Sequence, residues 1–449
     1  MPTSVKADRK AVMHGALVAV FAYLTSSAFL HRLTVYSAAG FSLFDVGTDI
    51  YSTSSAYSAG NTDLGSALLS TIILSNAVQI IVVINQHRHR GIRRVAQEIC
   101  FVLCGFKPFV DTTRLLGNVE IDGLPMSISI ERVCCEVIEM VCEAIPAAII
   151  QIVYLLGGSE LSLAIILSIA ASCFAIAAMS GGIFLSKDRS AENKLYDPAF
   201  YGATRDSPLP RAVTYVSLFL LQLAHVVAKL ATVSLLFTTS GKALAAYISG
   251  TMALYLGYKL ARRDWWYWPV GTGPTQSFLG RLIPKVFTDF TGNPHFRHPV
   301  ELGGACWLIT LFETQCAFVA TCFVYSHFNH NTGKIERGIL LTFLGTITGV
   351  WVAALVAFLL SIKRSHLHTF VSLETARQFL HRHFRQDHGN DERRVVIFQY
   401  NRKLWQPFFP EVHAWVASNH GSWAGMAWYT DAVRATIPSD MLPLTNVGP

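Results

Sequence analysis

Apolar runs of about twenty residues recur along most of the chain, separated by short polar or basic stretches. The runs predict spans at 35–57, 64–84, 133–156, 161–185, 212–237, 243–261, 302–328 and 338–362. Each matches the roughly 20 residues a helix needs to cross a bilayer. The stretch 95–116 is mixed: apolar, but carrying Glu98, Lys107, Pro108, Asp111 and Arg114. An earlier apolar run, Ala11–Leu30, follows a basic start at Lys6, Arg9 and Lys10 and reads as an interfacial or packed helix. The last stretch, 363–449, turns polar and charged with scattered tryptophans.

The positive-inside rule orders these elements. The segments 86–94, 187–211 and 262–300 are rich in arginine and lysine, whereas the turns 58–63 and 157–160 carry neither. All basic loops fall on one side only if 95–132 enters and leaves by the same face. That stretch is therefore expected to be re-entrant, because irregular backbone at depth persists only beside protein or water. The expected architecture is all-α: a polytopic membrane bundle of eight spans plus a re-entrant segment. It divides into 1–34 (basic segment and interfacial helix), 35–362 (bundle) and 363–449 (a small folded cytoplasmic tail). Composition agrees, with 52% hydrophobic and 14% charged residues, against about 25% charged in an average globular chain. The net charge of +7 sits in loops and suits anionic headgroups; no nucleic-acid motif appears. Trp265, Trp266, Tyr267 and Trp268 follow a span and read as an aromatic anchor. Leu279–Phe290 reads as a short amphipathic helix on the cytoplasmic surface.

The nine cysteines all lie in or beside apolar runs and read as small buried hydrophobes. No metal, cofactor or nucleophile–base pair is assigned, and the chain is not expected to be an enzyme. His381 and His383 read as a solvated basic surface.

Candidate chemistry concentrates in acidic residues inside apolar helices. Arg132, Glu136, Glu139 and Glu143 are spaced by four, three and four residues and share one helical stripe; Glu131 lies off it. Asp45 and Asp49 form a second pair at helical spacing. A carboxylate at the bilayer centre costs about 2.5–3.5 kcal/mol on insertion scales, so these groups face protein or water. Candidate cationic partners are Lys107 and Arg114 on the re-entrant segment, Lys229 with His225 four residues before it, and Arg132 for Glu136. Glu313 adds a late acid. Pro146 removes the donor to the Cys142 carbonyl and predicts a kink beside Glu143.

Two stretches resemble the XK-related membrane proteins. LFDVGTDIYS, followed by a short turn and a span, is similar to that family's first hairpin with its D-x-G-x-D-like pair. EVIEMVCEAIPAAIIQ is similar to its F-E-x-x-x-E-x-x-P-Q helix. The resemblance implies eight spans with re-entrant helices. It also implies phospholipid scrambling at the plasma membrane, with membrane lipids and a single-pass or lipid-transfer protein as partners. It maps the first acidic pair onto Asp45 and Asp49, and the helix pair before the proline onto Glu139 and Glu143. Ile138 stands where the family has an aromatic, Ala147 follows the proline in place of glutamine, and Glu136 is an acid the motif does not call for. The chain is thus similar to the family at large, as a remote branch. VEID at 119–122 looks like a caspase tetrapeptide, but lies between membrane segments and reads as coincidence. On the residues alone, an ion channel or solute transporter with the same charged core, or a non-catalytic anchor for a lipid-transfer partner, stays open beside lipid movement.

Overall fold

A computed structural model describes residues 27–117, 128–158, 162–190, 193–194, 197–262, 285–299, 301–328, 337–375 and 378. Among them every regular element is helical and no strand occurs. The long helices are α1 (Ser27–Ser58), α2 (Thr62–His87), α7 (Leu163–Arg189), α8 (Pro208–Thr239), α9 (Gly241–Ala261), α10 (Gly304–Phe328) and α11 (Arg337–Ser361). Two short helices, α3 (Ile92–Leu103) and α4 (Lys107–Leu116), follow α2. Then α5 (Ile128–Glu139) passes through a π-helical turn, Met140–Ala144, into α6 (Ile145–Leu156).

Five helices, α2, α7, α8, α10 and α11, are long and apolar enough to cross a membrane. The remaining expected spans carry more polar residues: α1 holds two aspartates, α5 and the π turn that follows it hold the glutamates, and α9 holds tyrosines and lysines. The outward surface is one a soluble protein avoids. Ile50, Ile73, Leu254 and Leu360 are each more than half exposed, as suits contact with lipid tails rather than water. Integral membrane character follows from these helices and this surface together.

Two helices form the axis. Two-thirds of the apolar stretch of α7 and of α8 is buried, against 28% for α2 and α11 at the edge. Small residues allow the close approach. On α1, Ala38, Ser42, Asp45, Asp49 and Ser52 recur every three or four residues and are all buried. They face an antiparallel stripe of Ser168, Ser172, Ala175 and Met179 on α7, likewise buried. Without a hydrophobic drive between helices in lipid, such small-residue seams and side-chain hydrogen bonds hold spans together. On its other sides α8 packs against α10, α11, α6 and α9.

The structure departs from the sequence reading in several places. Helix α1 starts by Ser27 and runs unbroken through 31–34, where a boundary between an interfacial helix and the first span was expected. Polar residues there do not break a helix when none is Pro or Gly. The mixed stretch 95–116 resolves into two helices of 12 and 10 residues, about 18 and 15 Å at 1.5 Å per residue, too short to cross singly. Gly105 turns the chain between them at φ +71°, and a Cβ added there would come within 3.2 Å of Val46. Residues 285–291 are helical but not a surface helix: Lys285, Phe287, Thr288, Asp289 and Thr291 are all buried. Lys285 and Asp289 neutralise each other and Lys285 also reaches Thr310 of α10, which is why a charged pattern could be swallowed. Residues 1–26, the aromatic cluster at 265–268, the tetrapeptide at 119–122 and the tail beyond 378 lie outside the described residues.

Candidate functional site

The buried charges sort into separate groups. The first lies where the α3–α4 hairpin meets α2 and α5. Lys107, fully buried, reaches Glu131 at 2.6 Å, Asp111 at 2.8 Å and Glu98 at 3.1 Å. Arg114 joins Glu98 at 2.7 Å and Asp111 at 3.1 Å, Arg94 reaches Glu98 at 2.9 Å, and His87 lies 3.1 Å from Glu131. The sequence reading set Lys107 and Arg114 against the stripe of glutamates. Instead they are held by Glu98, Asp111 and Glu131, of which the last is off that stripe. The reason is local. Lys107, Asp111 and Arg114 share one face of α4, and the tight turn at Gly105 folds that face back onto Glu98 of α3. His87, Glu98 and Glu131 offer donor atoms within 4.8 Å of one another. The Lys107 ammonium already stands among them, so a metal ion there would have to displace it.

Arg132 and Glu136 form a second, smaller group, a buried ion pair at 3.1 Å. This is the partnership their four-residue spacing predicts.

The third group is the acid column. Asp45 and Asp49 of α1 and Glu139 and Glu143 of the 128–156 helix are all buried. Among the described residues none of the four has a cation within ion-pair distance. Hydroxyls and amides stand in for cations. Ser42 donates to Glu139 at 2.5 Å, Ser172 to Asp45 at 2.7 Å and Ser168 to Asp49 at 2.5 Å. Gln151 of α6 donates to both Ser168 and Ser52, at 2.7 and 3.1 Å, and so ties three helices to one aspartate. Ser75 of α2 hydrogen-bonds Glu143, and Gln79 donates to Ser75 at 3.1 Å. The Asp49 Oδ2 and Gln151 Oε1 atoms are buried without a described partner.

Glu143 sits inside the π turn. A proline at 146 cannot donate to the Cys142 carbonyl, as the sequence implies. The helix answers by widening one turn rather than by simple bending: the Ile145 N–H bonds the Met140 carbonyl, five residues back. Such single π turns often mark functional positions.

A cleft of about 40 Å³ opens between the hairpin and the α1–α2 pair, room for a few waters on the usual criterion. Glu139, Glu143, Asn76, Gln79 and Lys107 line it beside Ile50, Ile72 and Leu103. It therefore sets the acid column and the lysine network against side chains of the lipid-facing surface.

Lys229 and Glu313 belong to a fourth group, in the second half of the chain and apart from the column. Lys229 donates to Tyr247 of α9 at 2.7 Å, and that phenol faces Glu313 of α10. Lys285 and Asp289 form a close buried ion pair beside them, and Lys285 also donates to Thr310 at 3.2 Å. His225 is a core histidine whose Nε2–H donates to the Asp289 carbonyl at 3.0 Å. The sequence reading does not find Glu98 and Glu131 as ion partners, puts Lys285 on a surface helix, and passes over Tyr247 and Asp289. The i,i+4 spacing of Lys285 and Asp289 was the available signal.

At the basic-loop end, Asp188 accepts from the backbone N–H groups of Gly202, Ala203 and Thr204, at 3.0–3.1 Å. Arg297 lies 3.7 Å from Asp188, its guanidinium 4.3 Å from the Phe370 ring centre and 4.5 Å from that of Phe200. This layer ties the loops to the segment Arg364–Phe370.

Compared with known proteins, the chain matches no family model, and no curated protein aligns with it significantly.

Proposed function

We propose that this is an eight-span membrane protein that moves phospholipids passively between leaflets, as the XK-related proteins it resembles do. The observation that carries the reading is the cleft beside the hairpin, where carboxylates without cations meet lipid-facing side chains. A headgroup crossing the hydrocarbon core needs polar groups that stand in for water while its tails stay in lipid. The acid column supplies them along α1 and the 128–156 helix, with Lys107 and Arg114 at one end. The hairpin, too short to span, is the element that has to part from α1 and α2 to admit a headgroup. Eight crossings with a re-entrant hairpin also place every basic loop on one side. The plasma membrane is the compartment the resemblance favours.

Leaflet exchange of a labelled phospholipid in proteoliposomes of the purified protein tests this. Exchange is expected from the unaltered chain and at least tenfold less from a triple variant with Asp49→Asn, Glu139→Gln and Glu143→Gln. No exchange by the intact protein, with and without calcium, removes the reading. One observation favours a second reading, a cation channel: the column is acidic throughout. Planar-bilayer cation currents that shrink in Glu143→Gln would support it.

A further inference from the structure

The group around Lys229 differs from the acid column in one respect: it offers one cation and one anion, each with bonding capacity to spare. Lys229 is 3% exposed, and its ammonium donates to the Tyr247 hydroxyl while lying 4.7 Å from the centre of that ring. An ammonium has three donors, and no described carboxylate lies within ion-pair distance of this one. On the other side of the same phenol, the Glu313 Oε1 atom is buried and takes no hydrogen bond from a described group. The neighbouring charges are already spoken for. Lys285 pairs with Asp289 and Thr310, and His225 with the Asp289 carbonyl.

Helix α9 adds an independent sign. Its buried face consists of Thr251, Tyr255 and Lys259, with Tyr247 half-buried one turn earlier. The four residues recur at intervals of four, on one stripe. The opposite face, with Ile248, Leu254 and Leu260, is exposed and apolar. The helix thus turns its polar side inward along its whole length and its greasy side outward. It packs chiefly on α8, and Tyr247 and Glu313, which meet between α9 and α10, are each only partly covered.

We infer that the space between α8, α9 and α10 binds a zwitterion: a primary ammonium on Glu313 and, a few bonds away, an anionic oxoacid on Lys229. Tyr247, touching both, sets the separation at the span of two hydrogen bonds. An ethanolamine-type phospholipid headgroup has this chemistry, and so does free phosphoethanolamine. A choline headgroup has no N–H to give Glu313. A glycerol headgroup brings only negative charge to it. The lipid as source rests on the proposed lipid-moving function; the zwitterion chemistry does not.

The test is lipid retention by the purified full-length protein in detergent, read by native mass spectrometry. Phosphatidylethanolamine, phosphatidylcholine and phosphatidylglycerol are offered separately, with soluble phosphoethanolamine as competitor. Loss of a hydrogen bond to a charged group is worth about 1.5–3 kcal/mol, so the ethanolamine lipid should be retained roughly tenfold or more over the other two. Glu313→Gln should abolish that preference, Lys229→Gln should weaken all three lipids, and Lys229→Arg should restore binding. Displacement by soluble phosphoethanolamine identifies a free zwitterion as the natural ligand; resistance to it identifies the lipid. Equal retention of the three lipids, or an unchanged preference in both a correctly eluting Glu313→Gln and Lys229→Gln protein, overturns the inference. Leaflet exchange measured on the same preparations separates the two ideas. Exchange with no ethanolamine preference sinks this site alone, and selective binding without exchange sinks the lipid-moving reading alone.

Discussion

Lys107 and Glu143 are both buried charges, and they should answer mutation in opposite ways. Lys107 compensates three carboxylates within 3.1 Å. Removing one partner of a buried ionic group typically costs about 3–5 kcal/mol, because the remaining charge is left uncompensated. Lys107→Met is therefore expected to lower the unfolding midpoint sharply in a detergent titration. Glu143 has no described cation, so Glu143→Gln removes a charge the fold does not neutralise. That variant is expected to be as stable as the parent, or more so, while leaflet exchange falls. Equal destabilisation in both would contradict the division between a structural network and a functional column. Glu301, in the turn before α10, gives a pH signature. Burial pushes its carboxyl up to about 8, so the folded state holds a proton that the unfolded chain gives up near the ordinary glutamate value of about 4.3. Between those values the folded state binds more protons, and stability falls as pH rises, by at most about 1.4 kcal/mol per unit; above pH 8 the slope vanishes. Unfolding midpoints taken from pH 5 to 9 should show this decline, and Glu301→Gln should flatten it.

Among the elements, the contact between α10 and the chain after α11 is the most sharply testable. Ala305 donates to the Ser372 carbonyl at 3.0 Å. A methyl added at Gly304 would sit 2.1 Å from the Thr369 carbonyl oxygen and 3.0 Å from the Ser372 nitrogen. These are backbone atoms with no rotamer to escape through. Gly304→Ala is therefore expected to lift 364–372 off the bundle and to raise the rate of proteolytic cleavage there several-fold, with the helical circular-dichroism signal unchanged. An unchanged cleavage pattern would count against that packing. Elements were legible in the sequence in proportion to how local their cause was. The shortness of the hairpin could be read from Lys107, Pro108 and Asp111 inside an apolar stretch. The Arg132–Glu136 pair could be read from its spacing. What Lys107 actually holds could not, since it depends on how the turn at Gly105 folds α4 onto α3. The polar stripe of α9 was readable, four residues apart from Tyr247 to Lys259, but tyrosines pass for interfacial anchors unless the inward face is known. The helix at 285–291 reads as a surface element because its Lys285–Asp289 pair is local, whereas its burial depends on tertiary contacts such as that of Lys285 with Thr310.

For the whole molecule, the layout divides into a charge-dense end, where basic loops, the Lys107 network and the Asp188–Arg297 layer gather, and a body of apolar helices. That polarity predicts orientation. Cysteine-accessibility labelling of sealed cells should find the 86–94 and 197–207 loops protected from an impermeant reagent and the 58–63 turn reactive. Labels on opposite sides of 86–94 and 197–207 would break the eight-span reading. The π turn joins the parts of this layout. On its N-terminal side, α5 is fastened to the hairpin through Glu131 and Lys107. On its other side, α6 is fastened to α1 and α7 through Gln151. One extra residue in a helical turn is worth about 100° of azimuth. The widened turn at Met140–Ala144 is thus a swivel with a single tooth. If it closed to an ordinary α turn, the hairpin and the body could no longer both keep their grip. Glu139, Arg132 and Glu131 would sweep around the helix together, while Gln151 stayed still.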